Sequence, residues 1–403
     1  QHMNKYVIIG AGIAGIEAAK AIRERDSGGL INIFTAEKNL PYSRPMLTKT
    51  PFASFDPSDW TIHDHSWYEE LGISLHTDRR ITSIDSGAMH ICDGEKIYFY
   101  DKLILTLGAE SFVPPIAGVG SRGVFTIRRS EDIYDIKKAC KAGSKAVIIG
   151  GGVIGLETAA ELSRYGVHVT VLEAMPYLMT RQIDRELSDM ICRKLSGIDI
   201  YTNVKISSID ASPSENQVKS VTIESGEKFC CDMVIMACGV KADTSILPDS
   251  VSAPRAIDID DRCRTSDKDI YAAGDCAQHN GLNYALWSEA MVQGRTAGAN
   301  AAADLTGKDS GLLLESCDTS LMMNTPQISL FALGDMGKDP NKDYEVRRFS
   351  STLKKIFSVN PSQGEFFEKQ YWADGRLAGA AIIGNLFRIQ ELKDMINKGR
   401  NEK

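Results

Sequence analysis

The 403-residue sequence has no C-x-x-C pair, no low-complexity tract, no block of Lys and Arg, and no apolar run near the ~18 residues that span a bilayer. Each gap excludes a class. Its nine cysteines, at 92, 140, 192, 230, 231, 238, 263, 276 and 317, are scattered and odd in number. They argue against a disulfide framework or a zinc site and for reduced thiols packed as small apolar groups. The vicinal Cys230 and Cys231 fall on an expected strand, where neighbouring side chains point to opposite faces. His63 and His65 read as flanking a loop ahead of a helix at Trp67, and no metal is expected. A net charge of −7 without clustered cations disfavours nucleic acid. Gln1-His2 ahead of Met3 reads as a vector remnant, and Met3 leads almost directly into a strand. The expectation is a soluble, cytoplasmic chain without a leader or membrane span. With 43% apolar and 25% charged residues it is globular, and its length suits two or three domains.

What is present is one motif written twice. Lys5-Tyr-Val-Ile-Ile-Gly-Ala-Gly-Ile-Ala-Gly-Ile-Glu17 is answered 140 residues later by Lys145-Ala-Val-Ile-Ile-Gly-Gly-Gly-Val-Ile-Gly-Leu-Glu157. Each copy is a β-branched run, a G-x-G-x-x-G turn and an Ala-rich helical segment ending near Arg25 or Tyr165. Gly10 and Gly150 permit the turn, Gly12 and Gly152 let a pyrophosphate approach the backbone, and Gly15 and Gly155 let helix pack on strand. The phosphates would then sit on a helix N-terminus, beside Ala14 in the first copy and Ile154 in the second. A second strand follows each copy and ends near an acid, Glu37 in Leu30-Ile-Asn-Ile-Phe-Thr-Ala-Glu37 and Glu173 in Val167-His-Val-Thr-Val-Leu-Glu173. A carboxylate there accepts hydrogen bonds from a ribose 2′-hydroxyl and repels a 2′-phosphate, so the second site should prefer NADH to NADPH. Glu37 lies two residues beyond the usual position. Two dinucleotide sites are expected.

Three further segments are Leu40-Pro-Tyr-Ser-Arg-Pro-Met-Leu-Thr-Lys49, Tyr100-Asp-Lys-Leu-Ile-Leu-Thr-Leu-Gly-Ala109 and Thr265-Ser-Asp-Lys-Asp-Ile-Tyr-Ala-Ala-Gly-Asp275. With the doubled glycine motif they resemble the FAD-dependent pyridine nucleotide-disulfide oxidoreductase superfamily. Within it the chain looks most like NADH:rubredoxin oxidoreductases and the flavin portion of assimilatory nitrite reductases. Putidaredoxin-type ferredoxin reductases and apoptosis-inducing factor share the P-x-x-R-P-x-L-[ST]-K pattern more distantly. The resemblance implies that Arg44 and Pro45 lie along FAD, that Lys49 reaches the flavin N5 edge, and that Glu157 pairs with Lys49. It implies also that Asp275, after Gly274, accepts from the ribityl hydroxyls. A helix over Tyr284–Ala303 would aim its N-terminus at flavin N1 and O2, with Trp287 packed beside the rings. At the exit from the first unit the family's Ala-Thr-Gly is Thr-Leu-Gly here, retaining Gly108 after Thr106. Gly239 holds the matching exit of the second unit and should border the nicotinamide arm.

The resulting fold class is α/β: two Rossmann-like dinucleotide-binding domains, for FAD and NADH, plus a C-terminal α+β domain. Pro114-Pro115 marks the first break. Residues 3–110 and 242–310 would form a discontinuous FAD domain, 111–241 the NADH domain and 311–403 an interface domain. In the tail, Thr325–Gly334 and Glu365–Trp372 read as strands. Ala373-Asp-Gly-Arg376 reads as a hairpin turn into Leu377–Ile383, and Leu386–Asn397 as an amphipathic helix. The tail holds 13 Lys and Arg against 12 Asp and Glu, which would suit an acidic carrier, and it could alternatively make a homodimer contact.

Disulfide reductases of the superfamily carry a cysteine pair just after the first glycine motif, and peroxide- and oxygen-reducing relatives one cysteine in the next segment. From Gly15 to Phe52 this sequence has none. The resemblance then implies hydride transfer from NADH to FAD, with electrons leaving singly to a small carrier such as rubredoxin or a ferredoxin-like protein. Two alternatives stay open: an NADH oxidase or small-molecule reductase, disulfides included, and a redox-signalling flavoprotein.

Overall fold

A computed structural model describes residues 3–315, 319–352 and 365–401, so Cys317 lies outside the described residues. The chain forms two compact units. One comprises Gln1–Met46, Phe55–Glu110 and Val240–Cys317, the other Leu47–Ser54, Ser111–Gly239 and Asp318–Lys403.

In the first unit Lys5–Ile9 is the middle strand of a parallel sheet of five. Leu30–Phe34 and Ile73–His76 lie on one side of it, Lys102–Leu105 and Ile270–Ala272 on the other. The middle strands are continuous apolar runs because a parallel sheet is covered on both faces, and Val7, Ile8, Leu103 and Ile104 are essentially unexposed. The helix Ile13–Arg25 packs on the helix Trp287–Thr306. Their approach depends on missing side chains: a Cβ on Gly294 or Gly298 would lie 2.2 Å from the carbonyl oxygen of Ala14 or Ala18.

The sequence places the start of that long helix at Tyr284, three residues early. Ala285 has a φ of +48°, and the Asn283 amide donates to the carbonyls of Asp275 and Ala277 at 2.8 and 2.7 Å. These contacts keep the chain out of the helix until Trp287.

The second unit repeats the scheme. Lys145–Ile149 is flanked by His168–Leu172 and Ile198–Tyr201 on one side and by Met233–Met236 and Val124–Thr126 on the other, all parallel. The edge strands differ in origin. In the first unit the fifth strand comes from later sequence, in the second from earlier. An antiparallel ladder of Ile206–Ala211, Val218–Ile223 and Lys228–Cys230 accompanies the second sheet.

The tail belongs to this second unit and forms its own antiparallel sheet of five strands, with the helix Ile389–Asn401 over one face. The expected strand over 325–334 is shortened to Ser329–Gly334, and a further strand precedes it. Leu321–Asn324 and Ser329–Gly334 pair across a turn, closed by Thr325, whose N–H donates to the carbonyl of Ile328 and whose hydroxyl accepts from the Ile328 N–H. Pro326, lacking an N–H, suits that turn rather than a strand interior. The Asp374-Gly375 hairpin turn has two positive φ angles, 52° and 72°, and joins Glu365–Ala373 to Arg376–Gly384. Sequence patterning does not single out Glu345–Thr352, the edge strand beside Glu365–Ala373.

Candidate active site

In the first unit Gly10 has a φ of +103°, a region open to glycine. A Cβ there would sit 1.9 Å from the Thr106 carbonyl oxygen, and one on Gly15 would sit 2.2 Å from that of Gly10. Both positions are therefore fixed by packing. Gly12 differs: a Cβ would meet nothing within 4 Å, and Gly12 caps Ile13–Arg25 without any side-chain hydrogen bond. An uncapped helix start beside open space suits a phosphate. Thr106 fastens the turn, its hydroxyl donating to the carbonyls of Ile9 and Gly10 at 3.0 and 2.8 Å. Gly108 follows with a φ of +74°. Gly274, φ +82°, lies against Ala14, and its N–H donates to Gln293 Oε1 at 2.9 Å. Asp275 comes next, inside a short 3-10 turn. Trp287 opens its helix half-buried against the core of this unit.

Glu37 is bound within the unit. Its carboxylate accepts from the Tyr42 hydroxyl at 2.8 Å and from Arg44, and with Gly12, Thr35 and Asn39 these residues line one recess. Burial opposes the Arg44 charge, yet Glu37 beside it prevails and lifts the guanidinium above its ordinary pKa. Pro45 follows directly.

The second unit carries the same cradle. Gly150 has a φ of +113°, and a Cβ on it would sit 2.2 Å from the Ala237 carbonyl oxygen. A Cβ on Gly155 would sit 2.1 Å from that of Gly150, while Gly152 is open and caps Val153–Arg164 without a side-chain bond. Ile154 is exposed in the first turn. Glu173 stands at the end of His168–Leu172 and accepts from two backbone N–H groups, Gly151 at 2.6 Å and Met175 at 2.7 Å. It thereby ties the glycine turn to the next loop. Gly239, φ +98°, has open space at its Cβ position.

Lys49 and Glu157 meet within the second unit. Lys49 Nζ lies 2.5 Å from Glu157 Oε1, and the Glu157 side chain is only 1% exposed. Two more donors complete that carboxylate, the Thr48 hydroxyl at 2.5 Å and the Asn324 N–H at 2.9 Å. A buried carboxylate is stable when charge and hydrogen bonds compensate it together. One and two turns further along the same helix, Glu161 accepts from the Phe52 N–H at 2.9 Å and the Tyr165 hydroxyl from the Ala53 N–H at 2.6 Å. These bonds fasten the segment Leu47–Ser54 along the face of Val153–Arg164. Thr48 was visible beside Lys49 in the motif; nothing local marks Asn324.

Three buried or half-buried thiols, Cys231, Cys238 and Cys276, are held well above the ordinary thiol range. Cys276 is fully buried and its thiol is pushed up to about 12, chiefly by burial; Cys231 likewise reaches about 12, and Cys238 about 11 through burial and then Glu173. Such thiols are poor nucleophiles. Cys230 and its neighbour Cys231 are respectively exposed and buried. His63 stacks on Trp67 with ring centroids 3.9 Å apart. Among the described residues no group of three or more His, Cys, Asp or Glu is placed to hold a metal, and no helix is long and apolar enough to cross a membrane.

A family model described as pyridine nucleotide-disulphide oxidoreductase matches residues 4–294. The chain is 31% identical over 402 residues to the NADH-rubredoxin oxidoreductase of Clostridium acetobutylicum, covering 98% of this chain and 95% of that protein. It is 29% identical over 397 residues to a nitrite reductase [NAD(P)H] of Bacillus subtilis, covering 97% of this chain and 47% of the relative. The chain thus spans about half the length of that protein. The crystal structure of the Clostridium acetobutylicum NADH:rubredoxin oxidoreductase superposes with a TM-score of 0.75 at 29% identity, covering 98% of this chain and 96% of that one.

Proposed function

Because the chain belongs to the pyridine nucleotide-disulphide oxidoreductase family, we propose that it is an NADH-dependent flavoprotein passing electrons to a small carrier protein. FAD would occupy the first unit and NADH the second, and no redox disulfide would intervene. The observation that carries this reading is the cradle built twice. In each unit an uncapped helix begins at a glycine with open space at its Cβ position, flanked by two glycines that packing requires. Two such cradles fit two pyrophosphates.

When bound, FAD would supply two-electron acceptance from NADH and one-electron release to a carrier. The protein's residues orient and compensate charge. In the first unit the N–H groups after Gly12 would hold the FAD pyrophosphate, with Ala14 and Gly15 allowing the close approach. Glu37, oriented by Arg44 and Tyr42, would accept from the ribose, with Pro45 shaping the same wall. Thr106, Gly108, Gly274 and Asp275 would line the ribityl chain, and the start of the helix at Trp287 would face the ring end, where charge accumulates on reduction. In the second unit Gly150, Gly152, Ile154 and Gly155 would cradle the NADH pyrophosphate. Glu173 would take the ribose hydroxyls and Gly239 border the nicotinamide. Lys49, its ammonium held by the buried Glu157, would stabilise negative charge on the reduced ring.

The carrier reading is supported by the relative named NADH-rubredoxin oxidoreductase, which the chain matches over nearly its whole length. A cytoplasmic location agrees with eight described cysteines that are all free. The tail sheet is the surface we assign to a carrier or to a second copy of the chain. A stopped-flow experiment tests the core of this reading. The purified protein should be yellow, bleach on mixing with NADH faster than with NADPH, and then reduce rubredoxin. A colourless protein that takes up no FAD would refute the assignment, and rapid oxygen consumption without carrier reduction would replace the carrier by oxygen.

A further inference from the structure

Besides the bond from the Asn324 N–H to Glu157, the tail sheet grips the rest of the second unit at the start of the helix Arg185–Lys194. Asp184 caps this helix, accepting from the Leu187 N–H at 3.0 Å through Oδ1. Its other oxygen accepts from Lys369 and from the Tyr371 hydroxyl, both on the tail strand Glu365–Ala373. Lys369 bonds Glu186 as well, and Arg348 from the neighbouring tail strand makes a two-nitrogen contact to the Glu186 carboxylate at 2.9 to 3.1 Å. Lys338 donates to the carbonyl of Thr180. The Lys369 side chain is only 4% exposed, so its ammonium is compensated by these two carboxylates rather than by water.

From that grip a continuous path leads to the glycine turn. The gripped helix supplies Ser188, whose hydroxyl accepts from the Leu178 N–H at 2.9 Å. Leu178 is fully buried and packs directly over the turn: a Cβ on Gly151 would lie 2.5 Å from its Cδ2. Gly151 in turn donates to Glu173. The loop between Glu173 and Asp184 is thus held at its near end by Glu173, in its middle by Ser188 and at its far end by the tail.

We propose that Lys369, with Tyr371, is a positioning residue for dinucleotide binding. Through Asp184 and the helix it caps, it holds the loop after Glu173 so that the ribose-binding carboxylate and the glycine turn are set before NADH arrives. The proposal rests on the reading that this turn and Glu173 hold NADH. Preorganisation of this kind lowers the ordering cost of binding, so its loss appears in affinity.

The test measures NADH and FAD affinity of the full-length protein by fluorescence titration, together with KM and kcat, for wild type, Lys369→Met and Tyr371→Phe. The expected result is a roughly tenfold rise in Kd and KM for NADH in Lys369→Met and about threefold in Tyr371→Phe. FAD affinity should be unchanged, and kcat should fall far less than KM rises. The same change should appear in Asp184→Asn and should not add to it in the double variant. If Lys369→Met fails to fold, Tyr371→Phe decides, because it removes one hydrogen bond and keeps the ring. NADH affinity within experimental error of wild type in the folded variants would overturn the proposal, as would a loss of FAD in parallel. A wild type that binds no NADH would instead overturn the functional reading on which it rests.

Discussion

Glu173 has two tasks in this structure, and they predict different substitutions. Its carboxylate joins Gly151 to Met175 through their N–H groups, and in the proposed complex it also accepts from a ribose. Glu173→Ala loses both, and NADH affinity should fall about tenfold, equivalent to about 1.4 kcal/mol. NADPH affinity should fall less, because the repulsion of its phosphate disappears at the same time. Parallel titration with the two nucleotides checks this, and an unchanged preference ratio removes the assignment. At Lys49, replacement by methionine leaves Glu157 buried with Thr48 and the Asn324 N–H as its remaining donors. The protein should show a clear loss in Tm, since buried Glu157 loses its countercharge, while flavin reduction by NADH slows about 100-fold, the scale for removing one charge-stabilising group. Normal stopped-flow kinetics in Lys49→Met would leave the lysine a structural part only. Much of this was legible from residue order alone. The Lys49–Glu157 pair follows from motif resemblance, whereas Asn324 was invisible, since a backbone N–H has no sequence signature and lies 167 residues from its acceptor.

Among the elements, the two helices of the first unit meet through glycine. Gly298→Val would press a branched side chain where 2.2 Å separates a Cβ from a carbonyl oxygen, and the helices would have to part. Overpacking of this degree costs about 3 kcal/mol, the upper end of the usual range, to be read as an earlier urea midpoint and a loss of bound flavin. The ladder Ile206–Ala211 with Val218–Ile223 offers a pH test. Asp210 accepts from the hydroxyls of Thr222 at 2.6 Å, Ser208 at 2.9 Å and Ser220 at 3.1 Å, and these bonds, that from Thr222 foremost, hold its carboxyl at about 2. Its folded pKa lies below the unfolded value near ~3.9, so its contribution is complete above that value and is lost as pH falls through about 2. Thermal unfolding between pH 5 and pH 2 should show a steeper decline for the wild type than for Asp210→Asn; equal slopes would refute it. Glycine turns and buried strands were readable because period and punctuation are local. The late starts of the strand at Ser329 and of the helix at Trp287 were not, because a hydroxyl on Thr325 and a side-chain bond from Asn283 decide them.

For the whole molecule, charge is unevenly distributed. The net −7 arises before the tail, since residues 311–403 hold 13 cations and 12 anions. An acidic carrier meeting the chain would therefore be repelled by most of it and least by the tail. Carrier reduction measured with rubredoxin should change with ionic strength between about 0.05 and 0.5 M, as screening shortens the reach of these charges. Reduction of flavin by NADH within the protein should be nearly indifferent to salt. Equal salt dependence of both steps would place the charge effect in nucleotide binding instead of carrier encounter.

One edge strand of each parallel sheet comes from the opposite direction in sequence, Ile270–Ala272 from later chain in one and Val124–Thr126 from earlier chain in the other. On a ribosome this sets an order of assembly, because domains fold as their segments emerge. The sheet built around Lys145–Ile149 begins at residue 124 and has all five strands once residue 236 is out. The one that begins at residue 5 must wait, open at an edge, until residue 272. Of the two parallel sheets, the one whose synthesis starts first is the one that closes last, and FAD uptake by the nascent chain should follow, not precede, closure of the later-starting sheet.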